Sequence, residues 1–130
     1  MPAYATPGSV GVDLRNAGPA VVIPSLGRHL IPSGLAVALP AGMEAQVRPR
    51  SGLAFHRGVT IINTPGTIDS DYRGEILVPL VNLDREAQQI DHGERIAQLI
   101  LVAVRHVAWQ ETLELPPSER ADGGFGSTGV

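Results

Sequence analysis

Apolar and polar residues alternate strictly from Met43 to Arg48, which predicts a half-buried strand. Upstream, Gly18-Pro19, Pro24-Ser25, Pro32-Ser33-Gly34 and Pro40-Ala41-Gly42 recur at about eight-residue spacing, the pattern of short strands in an all-β sandwich or barrel. Between these breakers lie Ala20–Ile23, Arg28–Ile31 and Leu35–Leu39, each of strand length. Downstream, Val59–Ile62 reads as a short β-branched strand. Glu75–Leu83 reads as a longer one, with Pro79 pointing to an edge or a bulge. Ile96–Val104 is the most apolar and is predicted to be central. Ser51–Arg57 does not alternate and reads as one or two helical turns. After Pro116-Pro117 the composition changes. Residues 118–130 hold Gly123, Gly124, Gly126 and Gly129, one aromatic, Phe125, and no periodicity, so this segment cannot pack as a strand or helix by itself. The expected division is a β core over 1–117 and a glycine-rich arm over 118–130, with no internal repeat and no second domain.

Composition narrows the function. At 130 residues, one domain with a self-sufficient core is expected. With 43% hydrophobic and 18% charged residues, wholesale disorder is excluded. Fifteen glycines and eleven prolines leave little room for long helices. There is no cysteine, which excludes a disulfide scaffold, a cysteine-ligated metal and a cysteine nucleophile. No secretory signal is visible at the N-terminus. Ile96–Val104 is interrupted by Gln98 and is far short of a membrane span. The expectation is a cytoplasmic protein with no membrane partner. A net charge of −3 gives no support for nucleic-acid binding. Every basic side chain is Arg, so a planar fork that can grip a phosphate is available at each basic position.

Three segments can carry chemistry. Arg48-Pro49-Arg50-Ser51-Gly52 sets guanidinium forks and a hydroxyl beside a helix start, which suits a phosphate. A solvated strand end with an N-cap serine accounts for the same residues. Asn63 to Glu75 places Asp69, Asp71, Tyr72 and Arg73 in a turn-rich stretch between strands. Its acids serve as a general base with its support, as ligands of a hard cation, or as an Asx-turn with a surface ion pair. Arg120 to Gly129 combines glycines, hydroxyls, Arg and Phe, which suits closure on an anion and a flat ring, or a disordered end. Two smaller signals are Asp13 in the apolar stretch Gly11–Leu14 and Gln98 inside the most apolar strand, as a satisfied core amide or a ligand contact. The four histidines show no metal-ligand spacing, and Trp109 reads as a packing residue.

In order along the chain, Gly11–Ala17, Arg48–Ala54, Asn63–Ile76, Gly93–Leu99 and Arg120–Gly129 resemble the five motifs of the trimeric dUTP pyrophosphatases, or dUTPases. The resemblance implies an all-β, jelly-roll-like subunit with a short helix and a flexible C-terminal arm. It also implies a homotrimer with three active sites shared between subunits. The implied reaction is hydrolysis of dUTP to dUMP and pyrophosphate with Mg²⁺, which supplies a dTMP precursor and keeps uracil out of DNA. Carried over by motif position, Asp69 is the base for the attacking water. Asn63 and the backbone of Gly66, Thr67 and Ile68 read the uracil edge. Leu77 lines that pocket, and Tyr72 lies under the deoxyribose. Arg50, Ser51, Gly52 and Gln98 hold the phosphates, and Asp13 touches Mg²⁺, through a water. Arg120, Phe125, Gly126 and Ser127 close over the substrate. Ala121 and Val12 depart from the common pattern without removing a functional side chain.

The residue types suit this chemistry. Triphosphate hydrolysis needs positioning and charge stabilisation more than a covalent nucleophile. Two other readings remain. A dCTP deaminase shares the implied fold but needs an acid on the strand after Tyr72, where Pro79 stands. A non-catalytic nucleotide-sensing trimer would be expected to lack Asp69 or the arm.

Overall fold

The structure is a computed structural model and describes residues 1–124. Among these residues the chain forms β1 (Gly11–Arg15), β2 (Val21–Ile23), β3 (Arg28–Pro32) and β4 (Met43–Arg48), then α1 (Ser51–Arg57). It continues with β5 (Val59–Ile61), β6 (Gly66–Ile68), β7 (Leu77–Asn82), β8 (Gln88–Ile90) and β9 (Arg95–Ala103). The strands form three antiparallel sheets in the orders β1-β9-β4-β6, β3-β7-β5 and β2-β8. They share one core. The four-stranded sheet contributes Leu14, Ala45, Val47, Ala97 and Leu99. The other two contribute Ile31, Val59, Ile61, Val78, Leu80, Ile23 and Ile90. Burying side chains of this size stabilises the fold by about 1.5–3 kcal/mol each.

The alternation over Met43–Arg48 is β4, and the most apolar segment is β9, which lies between β1 and β4 as expected. Leu35–Leu39 is not a strand. Its side chains keep the inward-outward alternation, and Leu35, Val37 and Leu39 pack on the core. Its backbone, however, joins no ladder; its start is fixed by the Ile76 amide donating to the Leu35 carbonyl at 2.8 Å. Pro79 marks neither an edge nor a bulge, because β7 is the middle strand of its sheet. Its carbonyl accepts from the Ile62 amide at 3.0 Å, one residue past the end of β5. In an antiparallel pair a residue's amide and carbonyl face the same neighbour, so the missing N–H falls where β5 has already stopped.

Strands β1, β6 and β8 escaped the sequence reading: β6 and β8 are three residues long, and in β1 the alternation Val12-Asp13-Leu14-Arg15 stands out only as an acid in an apolar stretch. Trp109 is not a packing residue in this chain. It is 93% exposed, in a stretch where Val107, Leu113 and Leu115 are exposed as well.

Helix α1 begins directly after Arg48-Pro49, with Arg50 as an extended N-cap that offers no side-chain cap, and it ends at Gly58. Of its seven residues only Leu53 is buried. A helix this short is marginal by itself, so its placement depends on a few tertiary anchors.

Candidate active site

Two groups of polar side chains stand on the four-stranded sheet. The first surrounds Asp13. In the β1–β9 ladder Asp13 faces Gln98, and Gln98 faces Arg48 on β4. The Gln98 amide donates to the Pro49 carbonyl at 2.9 Å, which ties β9 to the approach to α1. The ladder slips by one residue between Leu14 and Arg15, so that Leu14 pairs with Ala97 and Arg15 with Arg95. Ile96 is the extra residue, and it is buried together with Ala97. This bulge turns Arg95 to the face that carries Asp13 and Gln98, a role that bulges commonly play beside functional sites. Arg95 Nη1 then lies 3.4 Å from Asp13 Oδ2, while Arg50 Nε donates to Asp13 Oδ1 at 2.9 Å. One carboxylate thus holds two guanidinium groups at the mouth of a cleft of about 330 Å³. Ser51, Gly52 and Gln98 line the same cleft. Ser9 closes it from the N-terminal segment, which lies along β1 through the pairing of Tyr4 with Val12.

Two members of this group were not singled out in the sequence. Gly11 stands where an added Cβ would meet Gln98 Oε1 at 2.8 Å, so only glycine lets that amide turn towards the cleft. Arg95 was missed because strict alternation puts residues 95 and 98 on opposite faces, and the bulge reverses that parity.

The second group is the loop from Asn63 to Leu77. Gly66, Thr67 and Ile68 form β6 at the far edge of the sheet. The Asn63 amide lies against Gly66, with Nδ2 at 3.5 Å from the position of an added Cβ. Thr67, Ile68, Asp69, Tyr72, Glu75 and Leu77 line a cleft of about 240 Å³. Tyr72 is fixed at both ends of its side of the loop. Its amide donates to the Asp69 carbonyl at 3.1 Å, and its hydroxyl donates to the Glu75 carbonyl at 2.9 Å. Glu75 in turn accepts the Gly34 amide on Oε1 at 2.7 Å. An added Cβ at Gly74 would collide with the Tyr72 hydroxyl, so glycine is required there for this ring position. Asp69 is exposed, and among the described residues its carboxylate makes no ion pair and accepts no hydrogen bond. It is free to receive a proton from a bound water.

Arg50, Ser51 and Gly52 follow the end of β4, whereas Asp69 follows Ile68, which pairs with Ala45 near the start of that strand. The two groups therefore leave the β4–β6 pair at opposite ends, roughly 17 Å apart along the strand. Each lines its own cleft, so the structure does not bring Asp69 together with Arg50, Ser51, Gly52 and Gln98. Arg120 joins neither group. It is exposed, with Nε donating to the Gly123 carbonyl at 2.9 Å. Phe125, Gly126 and Ser127 lie outside the described residues.

The donor set around Asp13 fits Mg²⁺. Among the described residues no group of three or more His, Asp or Glu could hold a metal by itself. Mg²⁺ does not need one, since it keeps several waters and is usually bound by one or two carboxylates together with substrate phosphates. A single half-exposed carboxylate beside phosphate donors is that kind of site.

Comparison with known proteins agrees with this geometry. A family model described as dUTPase matches residues 1–129. The chain belongs to the dUTPase family. It is 53% identical over 130 residues to a deoxyuridine 5'-triphosphate nucleotidohydrolase of Hydrogenobaculum sp., covering all of this chain and 90% of that one. It is 54% identical over 130 residues to the protein of that name from Cytophaga hutchinsonii, covering 99% and 84%. Among solved structures it is similar to a dUTPase of Staphylococcus bacteriophage 80alpha with dUpNHpp. The TM-score is 0.89 at 26% identity, covering all of this chain and 92% of that one. The all-β dUTPase fold expected from the motifs is the fold observed, with one short helix.

Proposed function

We propose that this protein hydrolyses dUTP to dUMP and pyrophosphate by attack of water on the α-phosphorus, in a homotrimer whose sites are shared between copies. The observation that carries this reading is the incomplete site. One cleft, at the end of β4 and across β9 and β1, holds guanidinium, hydroxyl and amide donors suited to a triphosphate. The other, beside the loop after β6, holds an uncommitted carboxylate and is of a size that takes a base and sugar. A single copy keeps them too far apart to act on one phosphorus atom. A second copy that brings its Asn63–Leu77 loop to this cleft completes the set. The exposed apolar side chains Val107, Trp109, Leu113 and Leu115 support association, since water disfavours leaving such a stretch uncovered.

In the completed site Asp69 orients the water and takes its proton. Arg50, the Ser51 hydroxyl, the first amides of α1 and Gln98 stabilise the charge that grows on the phosphate oxygens. Asp13 would hold Mg²⁺ through a water, and the ion would supply neutralisation of phosphate charge. Asn63 and the backbone of Gly66–Ile68 read the uracil edge by hydrogen bonds. That form of recognition leaves buried groups unpaired with cytosine, a heavy penalty. Leu77 bounds the base pocket, and thymine's methyl is excluded by shape. Tyr72 lies under the deoxyribose and leaves no room for a 2′-hydroxyl. Arg120, Phe125, Gly126 and Ser127, in the arm from residue 118 onward, close over the bound substrate.

The test is pyrophosphate release with Mg²⁺ from dUTP, dCTP, dTTP and UTP, each supplied separately. Fast release from dUTP alone is expected. Ammonia from dCTP moves the assignment to a deaminase, and nucleotide binding without turnover of any substrate moves it to a sensor. Gly74→Ala tests the role given to Tyr72. The added methyl displaces the ring, so the preference for dUTP over UTP falls about tenfold. Steady-state kcat/KM for the two substrates reads this directly.

A further inference from the structure

We infer that Arg57 is a positioning residue for the triphosphate, acting through helix α1; this rests on the proposed dUTP hydrolysis and deepens it. Arg57 is the last residue of α1, and it does not line the phosphate cleft but an adjoining one with Arg50, Gly52 and Arg95. All three of its nitrogens are engaged. Nε donates to Gln88 Oε1 at 3.0 Å, Nη1 meets the Glu94 carboxylate, and Nη2 donates to the Gln89 carbonyl. These acceptors belong to β8 and to the turn that leads into β9. The Glu94 carboxylate is itself anchored, because its other oxygen accepts the Asp91 amide at 2.9 Å. The contact is therefore a fork held in one plane by fixed partners, a geometry that a single-point ammonium cannot reproduce.

Both ends of α1 are then tied to the chain that runs from β8 into β9. At the start, Arg50 Nη1 reaches the Arg95 carbonyl at 3.5 Å; at the end, Arg57 reaches Gln88, Gln89 and Glu94. Between them only Leu53 is buried. Seven residues do not hold a helix in place by propensity, so the direction of α1 depends on such contacts, the Arg57 fork acting at its end beside the Leu83 amide, which donates to the Gly58 carbonyl. Ser51 and Gly52 in its first turn face the phosphate cleft, and Arg50 just before them grips Asp13. A tilt at the Arg57 end moves the donors at the other end. Loss of Arg57 also leaves the Glu94 charge unpaired beside a cleft that it shares with Arg50 and Arg95, which opposes a polyanion. Neither effect touches the base-reading loop, which lines a separate cleft.

The experiment compares wild type, Arg57→Ala and Arg57→Lys with dUpNHpp and with dUMP as ligands, alongside steady-state hydrolysis of dUTP. In Arg57→Ala the Kd for dUpNHpp and the KM for dUTP rise about tenfold, the size of effect seen when a partner that orients a ligating group is lost. The Kd for dUMP, which lacks the outer phosphates, moves less than about twofold. Arg57→Lys keeps the charge opposite Glu94 but not the bonds to Gln88 and Gln89, and it recovers only part of the loss. If Arg57→Ala does not fold, the same comparison is read from Arg57→Lys. Equal weakening of both ligands, no weakening of either, or full recovery by Lys overturns the inference while leaving dUTP hydrolysis intact. Absence of turnover in wild type overturns the functional reading, and the inference with it.

Discussion

Asp69→Asn is expected to lower kcat for dUTP about a thousandfold, within the range spanned by general-base removal, while dUpNHpp still binds. The replacement keeps the size of the side chain and removes its ability to take a proton. Asp69 suits this role because its carboxylate is exposed beside Tyr72 and uncommitted among the described residues. Asp13, the acid of the other cleft, is already bound to Arg50 and Arg95, and Glu75 accepts the Gly34 amide. Asp71 offers a control from the same loop. It does not line the cleft of Tyr72 and Leu77 but a neighbouring one that Asp69 also borders, with Met43, Glu44 and His106, and Asp71→Asn is expected to stay within about twofold of wild type. Single-turnover hydrolysis and a binding isotherm for the analogue separate the chemical step from affinity. A fall in Asp71→Asn equal to that in Asp69→Asn would transfer the role to the pair.

Arg50→Ala is expected to lower kcat/KM for dUTP by about a hundredfold or more, through both KM and kcat. Arg50 has two tasks in the structure. Its guanidinium stands at the phosphate cleft, and its Nε neutralises Asp13 at 2.9 Å. Removal loses a charge-assisted donor and at the same time turns the Asp13 charge on the incoming phosphates. The double consequence separates Arg50→Ala from Asp69→Asn, in which KM stays near wild type. Arg50→Lys keeps the charge but not the fork, and is expected to recover part of KM and less of kcat.

How far these sites could be seen in the sequence depends on what kind of signal each residue leaves. β4 was legible because Met43–Arg48 packs one face on the core and leaves the other towards solvent. β9 was legible because both of its sides are covered. Leu35–Leu39 has the same alternation as β4, yet alternation records only which side chains face inward; it says nothing about whether the backbone finds a partner. β6 is only three residues long and did not read as a strand, while in β1 the alternation Val12-Asp13-Leu14-Arg15 is present but its acid alone stood out. Arg95 needed the bulge at Ile96, and one inserted residue in a ladder leaves no mark on hydrophobic periodicity. Gly11 and Gly74 read as ordinary turn residues until the structure put Gln98 and Tyr72 against them. The motif-level resemblance, by contrast, singled out Asp13, Arg50, Asp69 and Gln98 without regard to periodicity. Their division between two clefts follows from the pairing β1-β9-β4-β6, which connects residues distant in sequence.

That division makes complementation the most direct test of a site shared between copies. Asp69→Asn and Arg50→Ala chains are co-expressed in equal amounts and assayed for pyrophosphate release from dUTP. Each variant alone is nearly inactive. In mixed assemblies a cleft with an intact Arg50 meets an intact Asp69 loop at random, so about a quarter of wild-type activity returns. A mixture as inactive as either variant would contradict the account, because it would mean that one chain supplies both the phosphate donors and the base to each site.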